Sequence, residues 1–142
     1  VLTTTNGTRA INLANNHQLI TASFVNLNSV VKFITFKKKD IIILCSGWKG
    51  FFNLEDSIFA GALSQELLKN NLFTANCDSL QASIQLYDNS KNNIYDFLNC
   101  SSYRKRNNSK EVLRDTRFCL QPKLNSSIVP IYNKDRLVVH KF

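Results

Sequence analysis

The residues best suited to chemistry lie in Gly47-Trp48-Lys49-Gly50 and Asn53-Leu54-Glu55-Asp56, just after the apolar run Ile41-Ile42-Ile43-Leu44. Two adjacent carboxylates beside a glycine-flanked loop offer oxygen ligands to a hard divalent cation. Glu55 and Asp56 also have a plainer use. Acids in a helix's first turn oppose the positive end of its macrodipole and stabilise it by about 0.3–1 kcal/mol, and Asn53 with Asp56 resembles a capping box. From spacing alone the plainer use is preferred. Lys49 adds a cation for an anionic ligand in the same loop.

A second group, Thr3-Thr4-Thr5-Asn6-Gly7-Thr8-Arg9, reads as a strand end, a tight turn and a helix start. Gly7 frees the backbone to turn N–H groups toward a ligand, the hydroxyls add donors, and the Arg9 fork suits an oxyanion. The G-x-x-x-x-G-K-[ST] phosphate loop is absent. A purely structural turn competes with anion binding, because Asn-Gly is a common turn dipeptide. A third group, Cys100 to Arg106, has the C-x5-R spacing of cysteine-dependent phosphatases. It lacks a glycine to shape a phosphate cradle, carries Arg104 and Lys105 inside, and follows a helical segment, so it is set aside. His17 falls in a turn and His140 near the end, and neither is expected to be catalytic.

The chain of 142 residues is one domain's worth, and 44% apolar content is enough for a packed core. No apolar run reaches the ~18–20 residues of a membrane span, and no secretory leader is seen. The formal charge of +8 points to an anionic partner. Lys37-Lys38-Lys39 and the stretch from Arg104 to Arg117 carry much of it. Solvated helix faces account for such runs. No recognition helix, RNP-like strand or zinc knuckle accompanies them, which argues against nucleic acid. Cys45, Cys77, Cys100 and Cys119 form no C-x-x-C pair. Cys45 and Cys119 are expected to be small buried hydrophobes in a reducing, intracellular setting. The missing Met and strand-like opening suggest the back part of a longer chain, here a single α/β domain over 1–142.

These residues need elements to position them. Strands are predicted over Val1–Thr5, Gln18–Phe24 and Asp40–Ser46. Helices are predicted over Thr8–Asn15, from the Asn26 cap to Phe36, and over Leu54–Leu68, Ser79–Tyr87, Ile94–Asn99 and Lys110–Gln121. Pro122 stops the last. Ile128–Tyr132 and Leu137–His140 form a hairpin with Pro130 at an edge or bulge. Alternating strands and helices imply a parallel sheet with right-handed crossovers, with the acids just past a strand's carboxyl end, where ligands collect.

Several blocks, in order, resemble the 2-phosphosulfolactate phosphatase family: Thr3 to Ala10, Ser23-Phe24-Val25-Asn26, Leu44 to Gly47 with Phe52 to Asp56, Ala60-Gly61-Ala62, Asp115 with Cys119-Leu120, and Val129-Pro130. The resemblance implies a cytoplasmic, three-layer α/β/α fold with a mainly parallel sheet and a C-terminal hairpin. It implies hydrolysis of the phosphate monoester of 2-phospho-3-sulfolactate with Mg2+, a biosynthetic step in coenzyme M producers. By resemblance, Asn6, Gly7, Thr8 and Arg9 bind oxyanions, Asn26 joins the site, and Glu55 and Asp56 bind metal or transfer protons. With Lys49, these make a site for a small anionic substrate, with no nucleic acid or membrane partner. The assembly state stays open, a homo-oligomer among the options. Trp48 and Lys49 depart from the family's pattern, so the substrate can differ, and Tyr103 stands where related sequences often place a His. A non-catalytic anion-binding domain of the same family is the competing reading.

Overall fold

The computed structural model describes residues 4–69, 71–121 and 126–141, with the side chain of residue 141 left aside. Among them are seven α-helices and one antiparallel hairpin, an α/β arrangement: α1 (Thr5–Ala14), α2 (Leu27–Lys37), α3 (Leu54–Leu68), α4 (Asp78–Ser90), α5 (Ile94–Phe97), α6 (Ser102–Arg106), α7 (Lys110–Cys119), β1 (Ile128–Asn133) and β2 (Arg136–Lys141).

Helix α3 is the centre of the molecule. Its Ile58, Ala60, Ala62, Leu63 and Leu67 are buried, and so are Ser57, Gly61 and Ser64 on other faces of the same helix. A helix buried on several faces must be enclosed. Phe24, Leu27, Val30, Phe33 and Ile34 close it on one side, with Ile94, Leu98 and Val129 completing the cluster. The Ser64 hydroxyl donates to the Ala60 carbonyl at 2.7 Å, which meets its hydrogen-bond need inside the core.

The hairpin is tied to α2 by side chains. The buried Asn26 amide donates to the Ile128 carbonyl (3.1 Å) and accepts from the Ser23 N–H (2.8 Å). The Ser29 hydroxyl donates to the Ser126 carbonyl at 2.7 Å. Strands β1 and β2 pair from Ile128 opposite Lys141 to Asn133 opposite Arg136. The turn between them uses Lys134 and Asp135 at positive φ, as a two-residue hairpin connection demands.

Most of the predicted helices form, with shifted ends. The strands do not. No described residue pairs with Asp40–Ser46, and Ile42 and Leu44 are 88% and 47% exposed. Gln18–Phe24 makes a single bridge, Ile20 to Ile131, and its end becomes a 3-10 turn at Phe24–Asn26. An apolar pattern specifies a face, but a strand also needs a neighbouring backbone to receive its N–H and C=O groups. The described residues therefore contain no parallel sheet, and the three-layer order expected for the chain is not seen among them. Thr5, placed in a strand by its pattern, instead begins α1, because the Thr4 hydroxyl oxygen caps it. The rest of that first predicted strand, and the Pro122 stop, lie outside the described residues. Cys45 and Cys119, expected inside, are free and exposed: Cys45 lies in the unpaired segment and Cys119 ends α7, a helix that buries no residue.

Helices α3 and α4 cross most closely at Gly61. A Cβ there would collide with the Ser83 carbonyl and lie 2.9 Å from the Tyr87 Cβ. Gly61→Ala gains up to about 1 kcal/mol of helix propensity, but the overpacking costs about 1–3 kcal/mol. Packing is expected to win, and a urea unfolding curve with an unchanged or raised midpoint would contradict it.

Candidate active site

The two acids are held by the helix that forms the core. Asn53 caps α3, its side-chain oxygen accepting from the Asp56 N–H at 3.2 Å. The Asp56 carboxylate does not close a capping box. It reaches across to the preceding loop, where Oδ2 accepts from the Gly47 N–H (2.9 Å) and the Ser46 hydroxyl (3.0 Å). Glu55 points to a different partner: its Oε1 accepts from the Ser101 hydroxyl at 2.6 Å. The second oxygen of each carboxylate has no hydrogen bond among the described residues.

The loop between Gly47 and Phe51 is a two-residue turn. Trp48 and Phe51 exchange backbone hydrogen bonds of 3.0 and 2.9 Å, and Lys49 and Gly50 sit at φ 52° and 83°. Such a turn asks for left-handed residues at both central positions, usually Asn-Gly. Lys49 is an L-residue there, so its backbone is strained. Its N–H donates to the Asn6 side-chain oxygen at 3.1 Å. That bond brings the first turn of α1 against the loop.

The structure therefore joins Asn6, Lys49 and Asp56 through short contacts, and joins Glu55 to α6. Asn6 and Gly7 are half-buried, while Thr8 and Arg9 are exposed on α1. The tight turn expected at Asn6-Gly7 is instead helix: the Gly7 N–H donates to the Thr4 hydroxyl oxygen at 3.2 Å. No hydrogen bond links Asn26 to this group. Its amide is taken up by backbone of the Thr21–Ser23 segment and of β1.

Ser46 and Ser101 are site residues that the sequence did not single out. Ser101 precedes α6 as its N-cap, its hydroxyl oxygen accepting from the Arg104 N–H at 3.1 Å. A capping serine ahead of the basic triad Arg104-Lys105-Arg106 was the legible signal; its contact with an acid 46 positions away was not. Helix α6 also fills the Cys100–Arg106 interval, so no cradle loop exists there. The Cys100 thiol donates to the Phe97 carbonyl at 3.3 Å. Two surface depressions, about 460 and 440 Å3, lie away from the acids and share Tyr95, Arg117 and Gln121. Their chemistry is that of an exposed basic helix face. The Glu55–Asp56 corner is an open surface, and the convergent hydrogen bonds single it out over cavity size. Among the described residues no three His, Cys, Asp or Glu side chains gather as a metal cage.

Two thiols differ in their surroundings. Desolvation, with help from the Asp56 charge, pushes the Cys45 thiol up, outweighing the Ser57 hydroxyl. The Ser79 hydroxyl and the Leu80 N–H pull the Cys77 thiol down. Thiolate is the reactive form.

A family model described as 2-phosphosulpholactate phosphatase matches residues 1–135. A probable 2-phosphosulfolactate phosphatase of Thermotoga petrophila is 35% identical over 133 residues, covering 94% of this chain and 56% of the relative. One from Caldanaerobacter subterraneus is 33% identical, covering 91% and 56%. One from Prochlorococcus marinus is 38% identical over 109 residues, covering 74% and 45%. The chain thus spans about half the length of the curated relatives it matches.

Two outcomes check this geometry. Lys49→Asn puts a residue tolerant of the left-handed region in the turn and is expected to raise stability by about 1 kcal/mol in chemical denaturation; a loss would mean the side chain, not the backbone, governs the turn. With limiting iodoacetamide at mildly alkaline pH, peptide mapping is expected to find Cys77 alkylated well before Cys45, and the reverse order would contradict the assignment of their environments.

Proposed function

The chain belongs to the 2-phosphosulfolactate phosphatase family, and from that premise we propose that its site hydrolyses the phosphate monoester of 2-phospho-3-sulfolactate to sulfolactate and phosphate, with Mg2+. The observation that carries the reading is the single hydrogen-bonded group that unites the Asn6 corner, the Lys49 turn and the Asp56 carboxylate. Binding and catalytic residue types meet there.

The N-terminal turn of α1 is electropositive and favours the phosphate's negative charge, with Arg9 as an exposed fork on the same helix. Lys49 adds charge from the turn. Glu55 and Asp56, each with one unbonded oxygen, serve as oxygen ligands or proton carriers. The donor set fits Mg2+, which keeps several waters and takes one or two carboxylates plus substrate oxygens, with no all-protein cage. When bound, the ion neutralises charge on the phosphoryl oxygens. Ser46, Gly47 and Ser101 keep the two carboxylates apart and oriented.

A small substrate with phosphate, sulfonate and carboxylate groups suits a chain of formal charge +8. The apolar run Ile41–Leu44 is read as one strand of the family's three-layer, mainly parallel sheet, awaiting neighbours to pair with. A cytoplasmic setting fits a chain whose described helices are all too short or too polar to cross a membrane.

The test is phosphate release from 2-phospho-3-sulfolactate, with the Thermotoga petrophila relative as a positive control. Asp56→Asn and removal of Mg2+ by EDTA are each expected to lower kcat by at least about a hundredfold, and Glu55→Gln by a similar factor. Release that ignores all three would remove the roles given to the acids. An active relative beside an inactive chain that still binds sulfolactate would instead favour a non-catalytic anion-binding domain.

A further inference from the structure

Two cations converge on the chain's one tryptophan. The Arg106 guanidinium carbon lies 4.4 Å from the Trp48 ring centroid, and the Lys49 ammonium lies 5.7 Å from it. Like charges on one indole repel each other. Cation–π attraction offsets this only weakly at exposed sites. Among the described residues no acid forms an ion pair with either. The described ion pairs are Lys69–Glu66, Lys91–Asp88 and Arg114–Asp115, and Glu55 and Asp56 are occupied by Ser101 and by Ser46 with Gly47.

Arg106 is not on a loose loop. Helix α6 is pinned at its start by Ser101, which bonds Glu55. It is pinned in the middle by Arg104, only 8% exposed, whose guanidinium stacks 4.1 Å from the Tyr95 ring centroid and donates to the Tyr95 carbonyl at 3.4 Å. Arg104 is the helix's internal anchor, and Arg106, two residues on, is exposed. Trp48, 38% exposed, is fixed in turn by its backbone pairing with Phe51. The contacts close a ring: Asp56 to Gly47, Trp48 to Arg106, α6 to Ser101, and Ser101 to Glu55 beside Asp56. Through the Lys49 N–H that ring also touches Asn6.

We propose that Arg106, laid on Trp48 and assisted by Lys49, is the specificity clamp for a second acid group, a sulfonate or carboxylate, on a substrate whose phosphate sits at the Asn6 corner. The inference rests on the phosphatase reading and adds to it the residue that separates a multiply acidic substrate from a simple phosphate ester. A stacked guanidinium is preorganised to take an oxyanion with two parallel hydrogen bonds, which an ammonium does not reproduce. The uncompensated positive charge at the ring then has a partner only when ligand is bound.

Because Trp48 is the chain's only tryptophan, its emission reads the clamp directly, whether or not hydrolysis occurs. The full chain is titrated with 3-sulfolactate and, separately, with inorganic phosphate. Sulfolactate is expected to change the emission saturably. Arg106→Gln should raise its Kd by about tenfold or more, as for loss of a charged hydrogen-bonded pair, while the phosphate Kd moves by less than about twofold. Arg106→Lys should recover only part of the loss. An unaltered thermal midpoint shows that each variant folds, as expected for an exposed side chain. Equal sulfolactate affinity in Arg106→Gln, equal weakening toward both anions, or no emission change would overturn the clamp. Arg106-dependent sulfolactate binding without phosphate release would sink the phosphatase reading and leave the clamp standing. Turnover indifferent to Arg106 would do the reverse.

Discussion

Enclosure of α3 is the constraint on which the rest of this molecule depends. Its Ile58 is fully buried, and Gly61 lets the α4 backbone at Ser83 approach where a Cβ would collide. Packing of this kind has two effects. It supplies much of the burial that holds the described helices together, and it fixes the direction of the helix's first turn. Glu55 and Asp56 occupy that turn. They cannot be reoriented without moving residues of the core, so the site takes its rigidity from hydrophobic packing several residues away.

Around that rigid start, the polar contacts come from segments distant in the chain. Asp56 holds the loop before it, and Glu55 holds the start of α6. The loop is shaped by a turn that an L-residue enters only at a cost, and Lys49 occupies it. Strain of this sort persists where surrounding contacts over-determine the backbone, and here the bonds to Asn6 and Phe51 do so. The result is a small surface on which two half-buried acids lie near Lys49 and the first turn of α1.

Aromatic rings organise the basic residues. Tyr95 lies under both Arg104 and Arg117. Burial would raise its phenol, but the two guanidiniums together hold it below the usual range. Trp48 plays the same part for Arg106 and Lys49. The first ring anchors a helix to the body of the protein, and the second presents a cation at the surface. The difference follows from helical geometry: Arg104 and Arg106 are two residues apart, so they leave α6 on roughly opposite sides.

Helix positions, the Asn53 cap, the acids in the first turn of α3 and the C-terminal hairpin were all legible in the sequence, because each depends on neighbours within a turn or two of chain. Family membership was legible in the same way, from the ordered blocks between Thr3 and Pro130. The apolar run Ile41–Leu44 was legible as hydrophobic but not as exposed, since pairing depends on a second backbone that its own residues do not specify. The tertiary structure alone decided that Asn26 fastens a hairpin, that Ser101 meets Glu55, and that Arg106 rests on Trp48. Those contacts cross from 46 to 102 positions of chain, and over such separations proximity is set by how the whole core packs rather than by any local pattern of residue types.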